Sequence, residues 1–311
     1  MISISGGILC AGNLTEDILV WPVDSVVYDA TTWVHDIVTS FGGNGANTSY
    51  AIAKLGASVR FVGLVGNDEA GDRILNELRA AAIDLRVDRC DLPTPATVVV
   101  VRSDGARAFL HRPGASRESF ADPLQFTADL IQGCGHFHLA NPFAMPKMRP
   151  RAGETLRRAK ESGLTTSLDT GWDSLGEWLD VIGPCLPHLD VLFANEAEAA
   201  KLSGAGDPSE SAAFFLERGA RSVVLKLGRQ GCAVFDAGAQ LRAPGFTIKA
   251  VDSTGAGDCF AGAFLAGLSR GLSVPETARL ANAVGALCVE RAGATVGLLD
   301  YESTVRWMGR Q

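Results

Sequence analysis

The chain reads as an α/β protein: a mostly parallel central sheet with helices on both faces, and a small β-sheet lid beside it. Three observations carry that reading. From Val59 onward, short β-rich runs alternate with helical patterns, the rhythm of strand–helix–strand units that build parallel sheets. Two segments, about 17–40 and 94–113, break the rhythm with strand-like runs that no helix promptly follows. The 311 residues are 47% apolar and 20% charged, an ordinary globular composition with enough apolar mass for a large core.

In chain order, Met1 to Leu14 reads as a first strand. Ile18 to Trp21 and Trp33 to Val38 form the first irregular segment. A Gly-rich turn, Ser40 to Asn47, leads into the helical run Thr48 to Leu55. Val59 to Val65 is a strand and Glu69 to Ala82 a helix. Thr97 to Arg102, the turn Ser103-Asp104-Gly105 and Arg107 to Arg112 read as a hairpin. With the first irregular segment it predicts a small antiparallel sheet, which needs cover on one face. Gly135 to Ala140 is a strand and Arg149 to Ser162 a helix. Thr165 to Asp169, Val191 to Ala194 and Ser222 to Leu227 are strands, each followed by helical material. Ligands of open parallel sheets sit beyond the carboxyl ends of the strands. Asp17, Asn141, Asn195 and Gly228 each follow an expected strand, so they can converge on one edge. Residues 1–311 read as a single domain carrying the two lid segments.

The net charge is −7 and no block of Lys or Arg stands out, which disfavours nucleic acid or a membrane surface as partner. The seven cysteines are widely spaced and contain no CxxC; this fits a reduced, cytoplasmic protein rather than a disulfide or metal framework. No secretory signal is evident. The apolar run Cys259 to Leu268 stops before Arg270 and is too short to cross a bilayer.

The chemistry concentrates in Asp252-Ser253-Thr254-Gly255-Ala256-Gly257-Asp258, ahead of that run. A helix start presents unpaired N–H groups, a ready anion site. A carboxylate there repels the anion unless it is a base and the anion a transferring phosphoryl group. An acidic residue favouring a helix dipole reads equally well from this segment alone. Ser40 to Asn47 is a second glycine-rich helix start, and its asparagines offer donors and acceptors suited to sugar hydroxyls. Competing phosphate motifs are missing: no GxxxxGKS/T occurs, and Phe260 follows Gly255-x-Gly257 where a dinucleotide fingerprint wants Gly or Ala. His136 and His138 alternate on one strand but do not make a ligand cluster.

Together these two segments resemble the two signatures of the ribokinase-like (PfkB) carbohydrate kinase family. Asp17, Asn195-Glu196-Ala197-Glu198, Lys226-Leu227-Gly228-Arg229-Gln230-Gly231 and Asn282 match further elements in the expected order, so the resemblance spans roughly residues 5 to 300. It implies ATP-dependent phosphorylation of a primary hydroxyl of a small sugar. Asp258 would be the base, and Gly255, Ala256 and Gly257 the anion hole. Asp17, Gly43, Asn44, Asn47 and Asn141 would hold the sugar. Asn195, Lys226, Gly228, Gly231 and Asn282 would lie along ATP, and Glu198 would reach Mg²⁺ through water. The family's monovalent cation, usually K⁺, would sit against Asp252, Thr254, Cys288 and Gly293. The lid implies a homodimer.

The chain departs from the ribokinase pattern at Thr15, Asn44 and Asn141. Gly-Gly-Asn is similar to the ketohexokinase pattern, which implies a ketose such as fructose, with ribose beside it. No arginine pair for an acidic sugar is evident, since Arg102, Arg107 and Arg112 lie on the expected lid. Trp21, Trp33 and Phe109 could stack a base, which keeps a nucleoside kinase open; a sugar-binding regulator without catalysis is the alternative of another class.

Overall fold

The computed structural model describes residues 3–311. The expected first strand, Met1 to Leu14, begins outside them; strand β1 is Gly7–Ala11. The large sheet also contains β4 (Val59–Gly66), β5 (Asp84–Cys90), β8 (Cys134–Ala140), β9 (Thr165–Asp169), β10 (Val191–Asn195), β11 (Ser222–Lys226), β12 (Cys232–Asp236) and β13 (Ala239–Ala243). Their order is β13-β12-β11-β10-β9-β8-β1-β4-β5. All neighbours run parallel except across β11-β12-β13, which are antiparallel. The alternation does not announce β5, β12 and β13. β5 and β13 are the two edge strands and expose many of their residues, so a buried-strand pattern is weak there; β12 lies between β11 and β13, and no long helix separates it from β11.

The parallel strands are buried on both faces, and two cores result. In β1, Ile8 and Cys10 enter one core while Leu9 and Ala11 enter the other, as the two-residue period of a strand requires. Helices α1 (Asn44–Lys54), α2 (Glu69–Ala80), α8 (Ala256–Ser269), α9 (Val274–Val289) and α10 (Tyr301–Met308) cover the first face. The second is covered by α3 (Ala128–Ile131), α4 (Ala152–Glu161), α5 (Trp178–Ile182), α6 (Glu196–Ser203) and α7 (Pro208–Glu217). Phe61, Phe193 and Phe264 fill the first core and Phe137 and Phe215 the second, each worth about 1.5–3 kcal/mol relative to exposure. The sheet order reverses at β1, between β4 and β8. That reversal opens a crevice at the strand ends. There the chain after β1 meets the start of α1 so closely that a Cβ on Gly12 would stand 2.7 Å from the Gly45 Cα.

The lid is a second sheet, ordered β3-β2-β6-β7, from β2 (Thr15–Trp21), β3 (Asp36–Gly42), β6 (Ala96–Val101) and β7 (Arg107–Arg112). It corrects the expectation of an antiparallel sheet, because β2 and β6 pair in parallel. The chain passes through α1, β4, α2 and β5 before β6, and such a long excursion lets β6 enter in the direction of β2. Register places Asp17 opposite Thr97 and Ser40, and Thr97 opposite His111. Asp17, Leu19, Thr97, Val99, Phe109 and His111 therefore share one face. Ile18, Val20, Ile37, Val98, Val100 and Leu110 share the other.

Candidate active site

Helices α1 and α8 begin side by side at the crevice. Asp258, on the first turn of α8, is 8% exposed. Its two carboxylate oxygens accept hydrogen bonds from Asn44 Nδ2 at 2.8 Å and Asn47 Nδ2 at 3.0 Å, and its carbonyl accepts from Thr48 Oγ1 at 3.2 Å. Burial pushes the Asp258 carboxyl above the usual range, and the two asparagine donors pull it back. Asn141, which follows β8, donates through Nδ2 to Asn44 Oδ1 at 2.9 Å. The three asparagines and Asp258 thus form one connected cluster. The Oδ1 atoms of Asn47 and Asn141 are buried acceptors with no protein donor among the described residues.

Gly255 is the N-cap of α8 at φ 72°, and a Cβ there would stand 2.5 Å from the Ala294 Cβ. Both facts demand glycine. Ala256 and Gly257 complete the first turn. A Cβ on Gly257 would be 3.1 Å from Lys226 Nζ, so the ammonium lies against this helix start.

Lys226 ends β11 and donates to both oxygens of Asp169, at 2.7 and 2.8 Å. Its stem does not snorkel to solvent; the pair is buried. Glu198 and Asp258 also act electrostatically on it. Burial opposes the ammonium, but three carboxylates outweigh it and raise the Lys226 pKa; burial and the neighbouring carboxylates push Asp169 up. Asn195 and Glu198 form a capping box on α6: Glu198 N donates to Asn195 Oδ1 and Asn195 N to Glu198 Oε2, both at 2.9 Å. Thr170 Oγ1 donates to the same Glu198 oxygen at 2.9 Å.

Asp17 corrects one expectation. It does not follow a strand of the large sheet but sits inside β2, because the chain turns into the lid directly after β1. Burial pushes its carboxyl up to about 6, against the Thr15 hydroxyl, which donates at 2.9 Å, and Thr97; Asp258 and Asp252 add to the rise. Gly43 is the N-cap of α1, next to Asn44. Opposite, Arg107 reaches from β7 to Asp252, Ser253 and Thr254. Gly293 N donates to Asp252 Oδ2 at 3.1 Å. The Cys288 thiol lies within reach of the Thr254 and Ala294 carbonyls, so residues 252, 254, 288 and 293 do converge.

Of the residues expected along the nucleotide, Gly228 opens a single 3₁₀ turn after β11, and nothing within 4 Å would meet a Cβ on it. Gly231 packs against the backbone of 243–245. The Asn282 amide donates to the Ala243 and Pro244 carbonyls at 3.0 and 3.1 Å, tying α9 to the end of β13. His136 and His138 are core side chains hydrogen-bonded to Thr165 and Ser167, and burial keeps both neutral. Among the described residues no group of three or more His, Cys, Asp or Glu could hold a metal. Asp169, Thr170 and Thr97 escaped the reading of the sequence, although Asp169 and Thr170 obey the strand-end rule that picked out Asn141 and Asn195.

The pfkB family carbohydrate kinase model matches residues 9–300. The ATP-dependent ribose-1-phosphate kinase of Halopiger xanaduensis is 31% identical over 92% of this chain and 93% of its own. Probable fructokinase-5 of Arabidopsis thaliana is 28% identical over 83% and 84%. The Arabidopsis thaliana ribokinase solved with ribose and ATP superposes with a TM-score of 0.83, at 26% identity, over 98% of this chain and 99% of that one. With the family model covering nearly the whole chain, the protein belongs to the pfkB family of carbohydrate kinases, phosphotransferases that act on a sugar hydroxyl.

Proposed function

We propose that the chain phosphorylates a primary hydroxyl of a small neutral sugar with ATP, and that Asp258 is the base. The carrying observation is the meeting of α1 and α8, where Asn44 and Asn47 clasp the Asp258 carboxylate beside the helix start Gly255-Ala256-Gly257 and its N–H groups. The Asp258 carboxylate takes the hydroxyl proton and the hydroxyl oxygen bonds to the γ-phosphorus. The bond to the β–γ bridging oxygen breaks, and ADP leaves with that electron pair. The helix-start amides hold the charge on the migrating group, and Lys226 stands against the same turn.

The unpartnered acceptors of Asn47 and Asn141 suit sugar hydroxyl donors. Asp17 and Gly43 complete that wall. The lid arginines favour a neutral sugar: Arg107 is committed to Asp252, Arg112 donates to the Thr94 carbonyl and Arg102 pairs with Asp104. Fructose and ribose fit this description better than an acidic or phosphorylated sugar. Gly228, Gly231 and Asn282 lie on the nucleotide side, with Asn195 nearer the phosphates.

Asp169, Glu198 and Asp258 around the single ammonium of Lys226 leave an excess of negative charge that suits Mg²⁺. Mg²⁺ retains water and is held through few carboxylates plus substrate phosphates, consistent with Glu198 acting through water; when bound, it neutralises charge on the transferring phosphate. The monovalent cation is a different matter. Asp252 Oδ1 already accepts from Arg107, Thr254 N and Thr254 Oγ1, and Oδ2 from Gly293 N. That donor set speaks against a potassium ion held by the Asp252 side chain, which is taken up by protein donors, one of them a cation.

The outer lid face supports a homodimer. It carries Ile37 and Leu110, 59% and 66% exposed, among Ile18, Val20, Val98 and Val100, and sheet faces of this kind mark association surfaces. The free cysteines and a set of described helices none of which is long and apolar enough to cross a membrane are consistent with a cytoplasmic enzyme. We read residues 1–311 as one catalytic unit with its lid.

The test is coupled ADP release with Mg-ATP over fructose, ribose, 2-keto-3-deoxygluconate, ribose 1-phosphate and adenosine. Turnover on a neutral sugar is expected. Turnover confined to adenosine would establish a nucleoside kinase instead. Sugar binding by calorimetry with no ADP release would point to a regulator.

A further inference from the structure

Arg107 makes a set of contacts that the phosphoryl-transfer chemistry above does not use. It is the first residue of lid strand β7, yet its guanidinium leaves the lid. Nη1 donates to Asp252 Oδ1 at 2.8 Å and Thr254 Oγ1 at 2.8 Å, and Nη2 donates to Ser253 Oγ at 2.6 Å. Three consecutive residues, 145 to 147 positions away in the chain, are thus held by one side chain. The guanidinium also lies 5.8 Å from the Phe109 ring centroid on the same lid face. The Arg107 side chain is 24% exposed and that of Asp252 only 5%.

The loop it holds runs directly into Gly255 and the helix start that would carry the phosphoryl group. An unpaired carboxylate at Asp252 would repel a triphosphate and would favour a bound cation. Here the carboxylate is paired on both oxygens: Oδ1 accepts from Arg107 Nη1, Thr254 N and Thr254 Oγ1, and Oδ2 accepts from Gly293 N. The carbonyls around it are also engaged. Val289 O accepts from Val251 N and Asp252 N, Ala294 O from the Cys259 thiol, and the one S–H of Cys288 lies within reach of both Thr254 O and Ala294 O. The positive charge of this loop is therefore supplied by the protein, from an element that covers the sugar side.

We propose that Arg107 is a positioning residue that replaces a monovalent metal ion at the 252–254 loop and makes the anion hole depend on the lid. The kinase then turns over without potassium, and docking of the lid over the sugar brings the guanidinium that sets the loop. This rests on the kinase reading of the site.

The experiment measures ADP release on the accepted sugar, at constant ionic strength, in potassium, sodium or choline chloride. Melting temperature is recorded in the same salts. Wild-type rates are expected to agree within about twofold across the salts, with no melting shift specific to potassium. Arg107→Gln is expected to lose about tenfold or more in kcat in choline chloride, to recover several-fold in potassium chloride, and to melt higher in potassium than in choline. Arg107→Lys, which keeps the charge, is expected to fall between the two. A wild-type enzyme about tenfold faster in potassium, or stabilised by it specifically, overturns the proposal. So does an Arg107→Gln variant that matches the wild type in choline, or one that loses activity equally in every salt. If the wild type turns over no sugar in any salt, the kinase reading is what fails, and the potassium-specific melting shift still decides for or against the protein-supplied cation.

Discussion

Asn44 opens helix α1 and Asp258 lies on the first turn of α8, 214 residues apart, and their side chains meet at 2.8 Å. Both ends of the Asn44 amide are engaged: its nitrogen serves the carboxylate and its oxygen accepts from Asn141 at 2.9 Å. The donor favours the ionised form of a carboxylate that burial pushes toward the neutral one. The ionisation of Asp258, the base we propose, is therefore set partly by a residue of α1.

Asn44→Ala should raise the Asp258 pKa further. A base works ionised, so activity is lost as pH falls through its pKa. The acidic limb of kcat against pH should then move to higher pH by about one unit, with most activity recovered at alkaline pH. A pH–rate profile of the two enzymes checks this, and coincident limbs would remove Asn44 as a tuner of the base.

Asp258→Asn should leave sugar and nucleotide binding largely in place and lower kcat by roughly 10²–10⁴. Calorimetry and coupled ADP release separate the two effects. Wild-type turnover in this variant would assign the base elsewhere.

Lys226→Met strands Asp169 in the interior. Breaking a buried ion pair from one side costs about 3–5 kcal/mol, and the loss should show in urea unfolding at neutral pH. Adding Asp169→Asn should restore much of the stability without restoring turnover, because the ammonium beside Gly257 is still missing. Recovery of turnover in the double variant would make Lys226 a structural residue only.

Asp17 titrates at about 6 in the folded chain against an ordinary value of 3.8. Between those values the folded state holds the proton and the unfolded state does not, so this residue's contribution to stability falls as pH rises through that window and stays low above it. Asp17→Asn should therefore stabilise the protein at pH 8 by about 1–3 kcal/mol, with no gain below pH 4, while weakening sugar binding. Unfolding at the two pH values, with sugar titration at pH 8, tests both halves; an equal gain at both would place the effect outside this ionisation.

Much of the architecture is legible in the residues. β9 is Thr165–Asp169 and β7 is Arg107–Arg112 as read from the pattern, because a buried parallel strand and a hairpin arm each declare themselves within a few residues. The lid's parallel β2–β6 pairing is not legible, since a short strand carries no mark of which distant strand it will join. Asp17 shows the same limit: the chain after β1 looks like the end of one strand, and only the second sheet reveals it as the start of another.

For the site, the amino-acid sequence by itself determined the helix start with Gly255 and Asp258, the asparagines of α1 and the Asn195–Glu198 pair. Each is a contiguous motif whose physics is local: free amides at a helix end, a cap, a turn that admits only glycine. Tertiary structure alone decided what these groups meet. The clasp of Asn44 and Asn47 on Asp258, the Lys226–Asp169 pair and the reach of Arg107 to Asp252 all join segments far apart in the chain. Their existence depends on sheet order, strand register and the position of the lid, long-range pairings that no local pattern of residues encodes.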